Sequence, residues 1–474
     1  MLKKNQEYVV TIIDNGYQGE GIAKIDNFAV FIPNAIKGEV VKILILKVTT
    51  SHAYGKILEI IEKSKERADI DCNIYNQCGG CNLRHMNYEK TLELKKDIVV
   101  NNFKKNAGVM PKINDVIGME NPLHYRNKLK YPVGYDSKGN MVMGTYAERS
   151  HRIIPTLDCR LQNEEINKVA CAVFQFLKDN NITPYNEDTG RGIVRHIIVK
   201  IGIKTNQIMV ILVINGDKLP LQKKLVQYII SKHKNVKTIV KNINTKKTNV
   251  ILGSKNEILF GDGYISDKLG EYEFKISAMS FYQVNPVQTE ILYNTAIKYG
   301  VGAFSERPSK CNSPLQNIVA FDLYCGVGTI SIFLAKHVQK VYGIEVVVDA
   351  VKDAKRNAKL NNIDNIEFIS GEVEKILPNL VGAGFHTRPT ETANTIIFVD
   401  PPREGLDSIT IKTILKVKPK KIIYISCNPA TLTRDVKELG ENYDVYEVQP
   451  VDMFPYTHHV ETVSLLTLKT VLKK

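Results

Sequence analysis

The chain has no tryptophan, only eight cysteines in 474 residues, and no stretch of eighteen consecutive apolar residues. Without tryptophan, large aromatic contacts fall to 22 tyrosines and 15 phenylalanines. Without a long apolar run, the sequence offers no candidate for a membrane-spanning helix. The opening "MLKKNQEYVV" also has no apolar core of signal-peptide length. The expectation is a cytoplasmic protein with no membrane partner, monomeric by default. Eight cysteines in a reducing compartment do not suggest a disulfide framework. They read as buried, metal-binding or catalytic thiols.

Hydrophobic residues make up 43% of the chain and charged residues 24%, the balance of a globular protein. The length exceeds one ordinary core, so two or three domains are expected. A formal net charge of +14 points to a polyanionic partner such as nucleic acid. That excess is not uniform. Residues 1–62 carry seven lysines against seven acids, whereas residues 63–130 carry thirteen basic residues against eight acidic ones.

Residues 1–62 alternate short β-branched runs ("YVVTII", "FAVFIP", "EVVKILILKV", "YGKILEII") with turns, and this predicts a small closed barrel of the OB type. Residues 63–278 are mixed α+β. In that segment "EKTLELKKDIVVNNFKKN" has helical spacing with a basic face, and "GIVRHIIVKIGIKTNQIMVILVIN" reads as two strands about a polar turn. Residues 279–474 contain five apolar runs, "NIVAFDLY", "KVYGIE", "NIEFIS", "TIIFVD" and "KKIIYIS", each followed by room for a helix. That is the pattern of an α/β, doubly wound, Rossmann-like parallel sheet. The tail predicts an antiparallel hairpin at the sheet edge, and the polar stretches around Cys311 and His386 read as surface loops.

In such sheets ligands bind at the carboxyl ends of strands. After the first run, Gly326 and Gly328 permit a tight turn against a ligand, but Ser331 stands where the dinucleotide fingerprint has its third glycine. Glu345 ends the second run, 19 residues beyond Gly326, where an acid accepts ribose hydroxyls. The missing glycine, the acid and the hairpin favour S-adenosylmethionine over NAD. At the fifth strand end, "SCNP" alone is more often a turn with a small apolar cysteine. Beside a methyl donor, however, a thiol has a use. C5 of uracil is too weak a nucleophile for a sulfonium methyl group until a thiolate such as that of Cys427 adds to C6. A base must then remove the C5 proton, and in "YTHHVETV" the nearest downstream acid is Glu461.

Cys72, Cys78 and Cys81 lie in "DCNIYNQCGGCNLRH", with Cys159 far downstream in "LDCR". A CxxC pair with a third cysteine nearby is a metal signal, and spacing alone leaves zinc and iron-sulfur open. Cys171 and Cys325 read as packing residues. Arg126, Lys128 and Lys130 could hold a phosphate backbone or be a solvated face. Phe281 and Tyr282 are candidate stacking partners for a base, or core residues.

"DLYCGVGTIS" resembles the first motif of class I S-adenosylmethionine-dependent methyltransferases, and "VDPPREGL" the motif lining the acceptor side in nucleic-acid methyltransferases. Together, "SCNPATLTRD", "HHVET" and "DPPREGL" make the whole chain similar to the RNA (uracil-5-)-methyltransferases. That resemblance implies Cys427 as nucleophile and Glu461 as base, with Gln283 of "SFYQVNP", Tyr324, Glu345 and Asp400 on ligand positions. The Cys-x5-Cys-x2-Cys pattern with its distant fourth cysteine resembles the 4Fe-4S site of the branch acting on 23S ribosomal RNA. Residues 1–62 resemble the TRAM domain of that branch. The implied domains are therefore a TRAM barrel at 1–62, a central RNA-binding segment with the iron-sulfur site at 63–278, and a methyltransferase domain at 279–474. The alternatives are the same chemistry on the tRNA T-loop uridine, or a non-catalytic RNA-binding or assembly factor.

Overall fold

The computed structural model describes residues 2–148, 150–302, 315–383 and 395–470. The stretches around Cys311 and His386 lie outside the described residues. No helix among the described residues is long and apolar enough to cross a membrane.

The first sixty residues curl into a six-stranded sheet. Its order is Glu7–Thr11, Val40–Val48, His52–Glu62, Phe28–Ile32, Gly21–Ile25 and Asp14–Asn15. Alternation decides the inside. Val41, Ile43 and Ile45 are fully buried with Val30 and Ile32, while Lys42 and Leu44 between them stay partly exposed. Each such buried side chain contributes roughly 1.5–3 kcal/mol by leaving water.

The middle of the chain forms a seven-stranded mixed sheet running from Ile153–Pro155 at one edge to Lys255–Phe260 at the other. Val194–Ile201 and Ile208–Ile214 pair antiparallel as expected, and every residue in both is buried. The lack of alternation has a structural cause. Ile197, Val199, Val210 and Leu212 pack with helix Glu164–Asp179, whereas Ile198, Met209, Ile211 and Val213 on the other face share a core with the C-terminal region.

The C-terminal sheet has eight strands in the order Ile366–Ser370, Val338–Glu345, Leu315–Leu323, Thr395–Val399, Lys421–Ser426, Glu461–Leu468, Tyr443–Val451 and Lys112–Ile113. The first five are parallel, with helices between them, as their alternating pattern predicts. The tail forms its hairpin, and Glu461–Leu468 inserts antiparallel beside Lys421–Ser426. The hairpin is not the edge. Lys112–Ile113 pairs parallel with Tyr443–Val451 and extends the sheet by one short strand.

More of the middle segment also reaches this sheet. Helix Tyr88–Asn102, continued by the π turn Phe103–Ala107, places Leu94, Ile98, Val99 and Phe103 in one core with Leu432, Val436 and Tyr443. Its Lys95 is fully buried and donates to Asp452 at 2.5 Å and to the Phe454 carbonyl at 3.0 Å.

Candidate active site

The carboxyl ends of the parallel strands gather most of the residues singled out above. Leaving the Leu315–Leu323 strand, the chain turns through Tyr324 at φ 65°, Gly326 at φ 55° and Gly328 at φ 80° into helix Thr329–Ala335. A left-handed φ is cheap for glycine and strained for tyrosine, so Tyr324 is held by its surroundings. Its hydroxyl meets that of Thr410 at 3.5 Å. The two glycines differ in what requires them. Open space lies where a Cβ on Gly326 would point, as for a ligand-facing turn. At Gly328 a Cβ would fall 2.6 Å from Phe368 on the Ile366–Ser370 strand, so close packing against that strand demands the glycine there. The Glu345 carboxylate accepts from the Gly326 N–H at 3.1 Å and the Val347 N–H at 2.8 Å, which fixes it at the next strand end.

Cys427 follows the Lys421–Ser426 strand and is half-buried. Asn428 then starts helix Pro429–Leu439. Its side chain accepts from the Ala430 N–H at 3.1 Å and donates to the Arg403 carbonyl at 3.2 Å, while Pro429 begins the helix without an amide proton to satisfy. This local lock fixes where the thiol points and ties it to the "DPPREGL" loop. Arg434 adds bonds to the Glu404 and Leu406 carbonyls, and Asp435 accepts from the Leu406 N–H at 2.7 Å.

The antiparallel ladder ends at the pair Ser426–Thr462, so Cys427 and Glu461 each lie one residue past that pair, within electrostatic reach of one another. Burial, then the carboxylates of Glu461 and Asp400, push the Cys427 thiol up to about 11, while the Arg403 guanidinium pulls the other way. Burial and Asp400 push Glu461 up to about 8, again against Arg403. Burial raises Asp400 to about 7. Asp322 also rises to about 7 through burial and Asp400, despite the 2.5 Å bond from the Ser331 hydroxyl. The crevice therefore concentrates acids whose full ionisation calls for a cation.

Gln283 is half-buried in the loop before helix Pro286–Val301. The loop is pinned from beneath. Lys200 donates to the carbonyls of Ser277, Ala278 and Ser280 at 2.8, 3.0 and 3.1 Å, and Asn127 donates to the Gln283 carbonyl at 2.9 Å. Of the two aromatic candidates, Phe281 is 65% exposed and free to stack, whereas Tyr282 is buried with its hydroxyl donating to Asp267, a core role. Lys130 is exposed, and Arg126 and Lys128 are half-buried. Burial, then Lys130 and Arg126, lower Lys128 to about 8.

Away from the crevice, Cys72, Cys78, Cys81 and Cys159 are half-buried neighbours. Burial, then Cys159, Cys78 and Cys72, push the Cys81 thiol up to about 12. Asp71, next to Cys72, accepts from Arg84 at 2.6 Å and from Arg160, next to Cys159, at 3.3 Å, which draws the distant segments together. Among the described residues no His, Cys, Asp or Glu set has the closed geometry of a metal site. The sulfurs thus share a neighbourhood without forming a finished coordination shell.

Three residues around Cys427 and Glu461 were not singled out in the sequence. Arg403 stood within a quoted motif, as the cation beside two prolines. The half-buried His458 and His459 stood beside Glu461, and burial lowers both to about 4, keeping them neutral.

A family model described as tRNA (uracil-5-)-methyltransferase matches residues 223–469, and one described as TRAM domain matches residues 2–58. A Clostridium acetobutylicum protein named as an uncharacterized RNA methyltransferase is 45% identical over 469 residues, covering 98% of each chain. A protein of the same description from Halalkalibacterium halodurans is 42% identical over 470 residues, covering 99% of this chain and 98% of its own. Among solved structures, the Pyrococcus abyssi tRNA (uracil-54, C5)-methyltransferase in complex with S-adenosyl-L-homocysteine shares the fold. Its TM-score is 0.75 at 24% identity, covering 97% of this chain and 99% of that one. The α/β methyltransferase fold with an N-terminal TRAM barrel is thus the one expected, and the chain belongs to the tRNA (uracil-5-)-methyltransferase family.

Proposed function

We propose that this protein methylates C5 of uridine in 23S ribosomal RNA through a covalent Cys427 adduct, with S-adenosylmethionine as donor. The observation that carries the reading is the ladder ending at Ser426–Thr462, which brings Cys427 and Glu461 within electrostatic reach of each other beside Asp400. The donor supplies a methyl group on a positively charged sulfur, and the crevice chemistry fits that charge: Asp322, Asp400 and Glu461 are all held above their ordinary range by burial. In this reading Glu345 holds the ribose, Gly326 and Gly328 shape the turn beneath it, and Tyr324, Gln283 and Asp400 line the cofactor and target base.

Cys427, having lost its proton to solvent with Arg403 favouring the thiolate, forms an Sγ–C6 bond as the C5=C6 electron pair moves towards C5. C5 then takes the methyl group while the pair of the broken sulfur–carbon bond stays on sulfur. Glu461, as carboxylate, removes the C5 proton, C5=C6 re-forms, and Cys427 leaves as thiolate. A raised carboxyl is the stronger base for that step.

Binding a sulfonium favours ionised carboxylates. Affinity for S-adenosylmethionine is therefore expected to rise as pH increases from about 6 to about 8, with proton release, while uncharged-sulfur S-adenosylhomocysteine changes far less. Calorimetry in buffers of different ionisation enthalpy measures both. A flat pH dependence would count against the acid cluster as the sulfonium site.

Cys72, Cys78, Cys81 and Cys159 would hold a 4Fe-4S cluster whose four thiolate bonds join segments far apart in sequence. Their shared neighbourhood and the Asp71 bridge support this. Anaerobic purification should give a brown protein with iron and sulfide in equal amounts. Colourless protein with stoichiometric zinc would replace the cluster by zinc. Chelation or Cys→Ser changes should loosen the central segment before the barrel.

The cysteine set supports ribosomal RNA as substrate, whereas the barrel does not separate the two readings, because the likeness to the tRNA enzyme takes it in. The Pyrococcus abyssi tRNA enzyme, whose likeness spans 97% of this chain, favours the tRNA T-loop as the second reading. Labelled donor with unmodified 23S rRNA and unmodified tRNA in parallel, followed by mapping of 5-methyluridine, separates them. Label in rRNA alone supports the first, in tRNA alone the second, and in neither the binding-factor alternative.

A further inference from the structure

The N-terminal barrel reaches the loop that carries His458 and leads into Glu461. Its Asn15–Glu20 turn is closed by its own hydrogen bonds. Gly16 donates to the Glu20 carbonyl at 2.7 Å, Gly19 to the Gly16 carbonyl at 3.0 Å, and the Gln18 N–H to the Glu20 carboxylate at 2.8 Å. The Asn15 side chain fastens this turn to the barrel by donating to the Ala35 carbonyl at 2.9 Å and accepting from the Lys37 N–H at 3.0 Å. Gly19 is buried, its Cα facing Leu83 and Leu94 of the segment packed on the catalytic sheet. The turn is therefore docked from both sides and holds Tyr17 in one place.

Tyr17 sits edge-on to His458, with ring centroids 5.5 Å apart and planes at 61°. His458 in turn lies 4.2 Å from His459, donates from Nδ1 to the Asn82 side-chain oxygen at 3.0 Å, and stands three residues before Glu461. The tyrosine remains 42% exposed, so its contact with His458 leaves much of the ring open. Its hydroxyl is raised by burial, lowered by Arg403 and raised by Cys427, so it lies within electrostatic reach of both. An open aromatic face packed on His458, within electrostatic reach of a nucleophile and an exposed arginine, is an arrangement that can grip an unstacked base.

We propose that Tyr17 is an RNA-positioning residue: its ring stacks on a nucleobase beside the uridine presented to Cys427, so the barrel helps to seat the target as well as to tether the RNA. This rests on the uridine-methylation reading above. The plain alternative is that Tyr17 only packs the barrel against the His458 loop.

The test measures KM for RNA, kcat, RNA affinity, S-adenosylhomocysteine affinity and thermal midpoint for wild type, Tyr17→Phe and Tyr17→Ala. It uses the full chain and RNAs with or without an abasic site flanking the methylated uridine. Loss of one stacked base corresponds to roughly 5- to 150-fold in affinity. Tyr17→Ala should raise KM within that range, with kcat, S-adenosylhomocysteine affinity and thermal midpoint near wild type, and Tyr17→Phe should restore KM. On one of the abasic RNAs the Tyr17→Ala effect should largely vanish, because the partner base is already gone. Wild-type KM in Tyr17→Ala would overturn the proposal. So would a loss that persists on every abasic RNA and comes with a lowered thermal midpoint, as packing alone predicts. If the wild-type protein forms no 5-methyluridine on any RNA, the functional reading falls. RNA affinity then still decides on Tyr17, since equal binding by wild type and Tyr17→Ala would overturn the stacking role.

Discussion

Cys427→Ala is expected to abolish methyl transfer to RNA, lowering single-turnover rates by about 10⁴-fold or more, the scale on which removal of a covalent nucleophile acts. In the proposed mechanism, deleting the sulfur takes away the group that activates C5, and no neighbouring side chain can replace it. Glu461, Asp400 and Arg403 can move or stabilise charge at the same place, but none supplies a thiolate. The substitution should leave the fold alone. The residue is half-buried at a strand end, and the lock on the following helix is made by Asn428 and Pro429. Binding of S-adenosylhomocysteine and the thermal midpoint should therefore stay near wild type. Rapid-quench methyl transfer at saturating donor gives the rate, and a variant with normal turnover would end the covalent mechanism. Glu461→Gln is expected to fail differently, by allowing the adduct and the methyl transfer but stalling before elimination, so that protein and methylated RNA stay joined.

Lys95→Met should produce the largest loss of stability, about 3–5 kcal/mol, because it strands Asp452 as a buried charge without its partner. Both side chains are fully shielded from water. Asp452 also accepts from the Tyr88 hydroxyl at 2.7 Å, and Lys95 holds the Phe454 carbonyl, so the pair anchors the loop that leads into Glu461. Asp452 further offers its carbonyl to Gln288 at 3.1 Å. Loss of turnover should accompany loss of stability. The urea midpoint and kcat together check it. The double change Lys95→Met, Asp452→Asn should recover much of the stability, since it removes the stranded charge. No difference between single and double variants would mean that the pair matters only through packing.

The parts legible in the sequence were those carried by local pattern. Alternating strands and helices gave the five parallel strands, though not the order in which they sit in the sheet. "SCNP" gave a strand end followed by a proline-started helix, and the acid 19 residues after Gly326 took its place beside that glycine. What escaped depends on contacts between distant segments. Lys95 looked like one more cation on a basic helix face, and only the arrival of Asp452, over three hundred residues away, turns that face inward. Lys112–Ile113 is too short to announce a strand, and it exists because Tyr443–Val451 offers an open edge. Tyr282 and Phe281 are adjacent aromatics with opposite fates, decided by Asp267 beneath one of them. Tyr17 lay in a turn whose neighbours belong to another part of the chain.

The most direct test of the central claim is to incubate the protein and donor with uridine-containing and 5-fluorouridine-containing 23S rRNA fragments and tRNA, then analyse the protein for attached RNA. Fluorine at C5 leaves no proton for Glu461 to remove, so the account predicts a stable protein–RNA adduct that forms after methyl transfer, maps to Cys427 and is missing in Cys427→Ala. Methylated RNA without any trapped adduct, or an adduct that survives in Cys427→Ala, would contradict it.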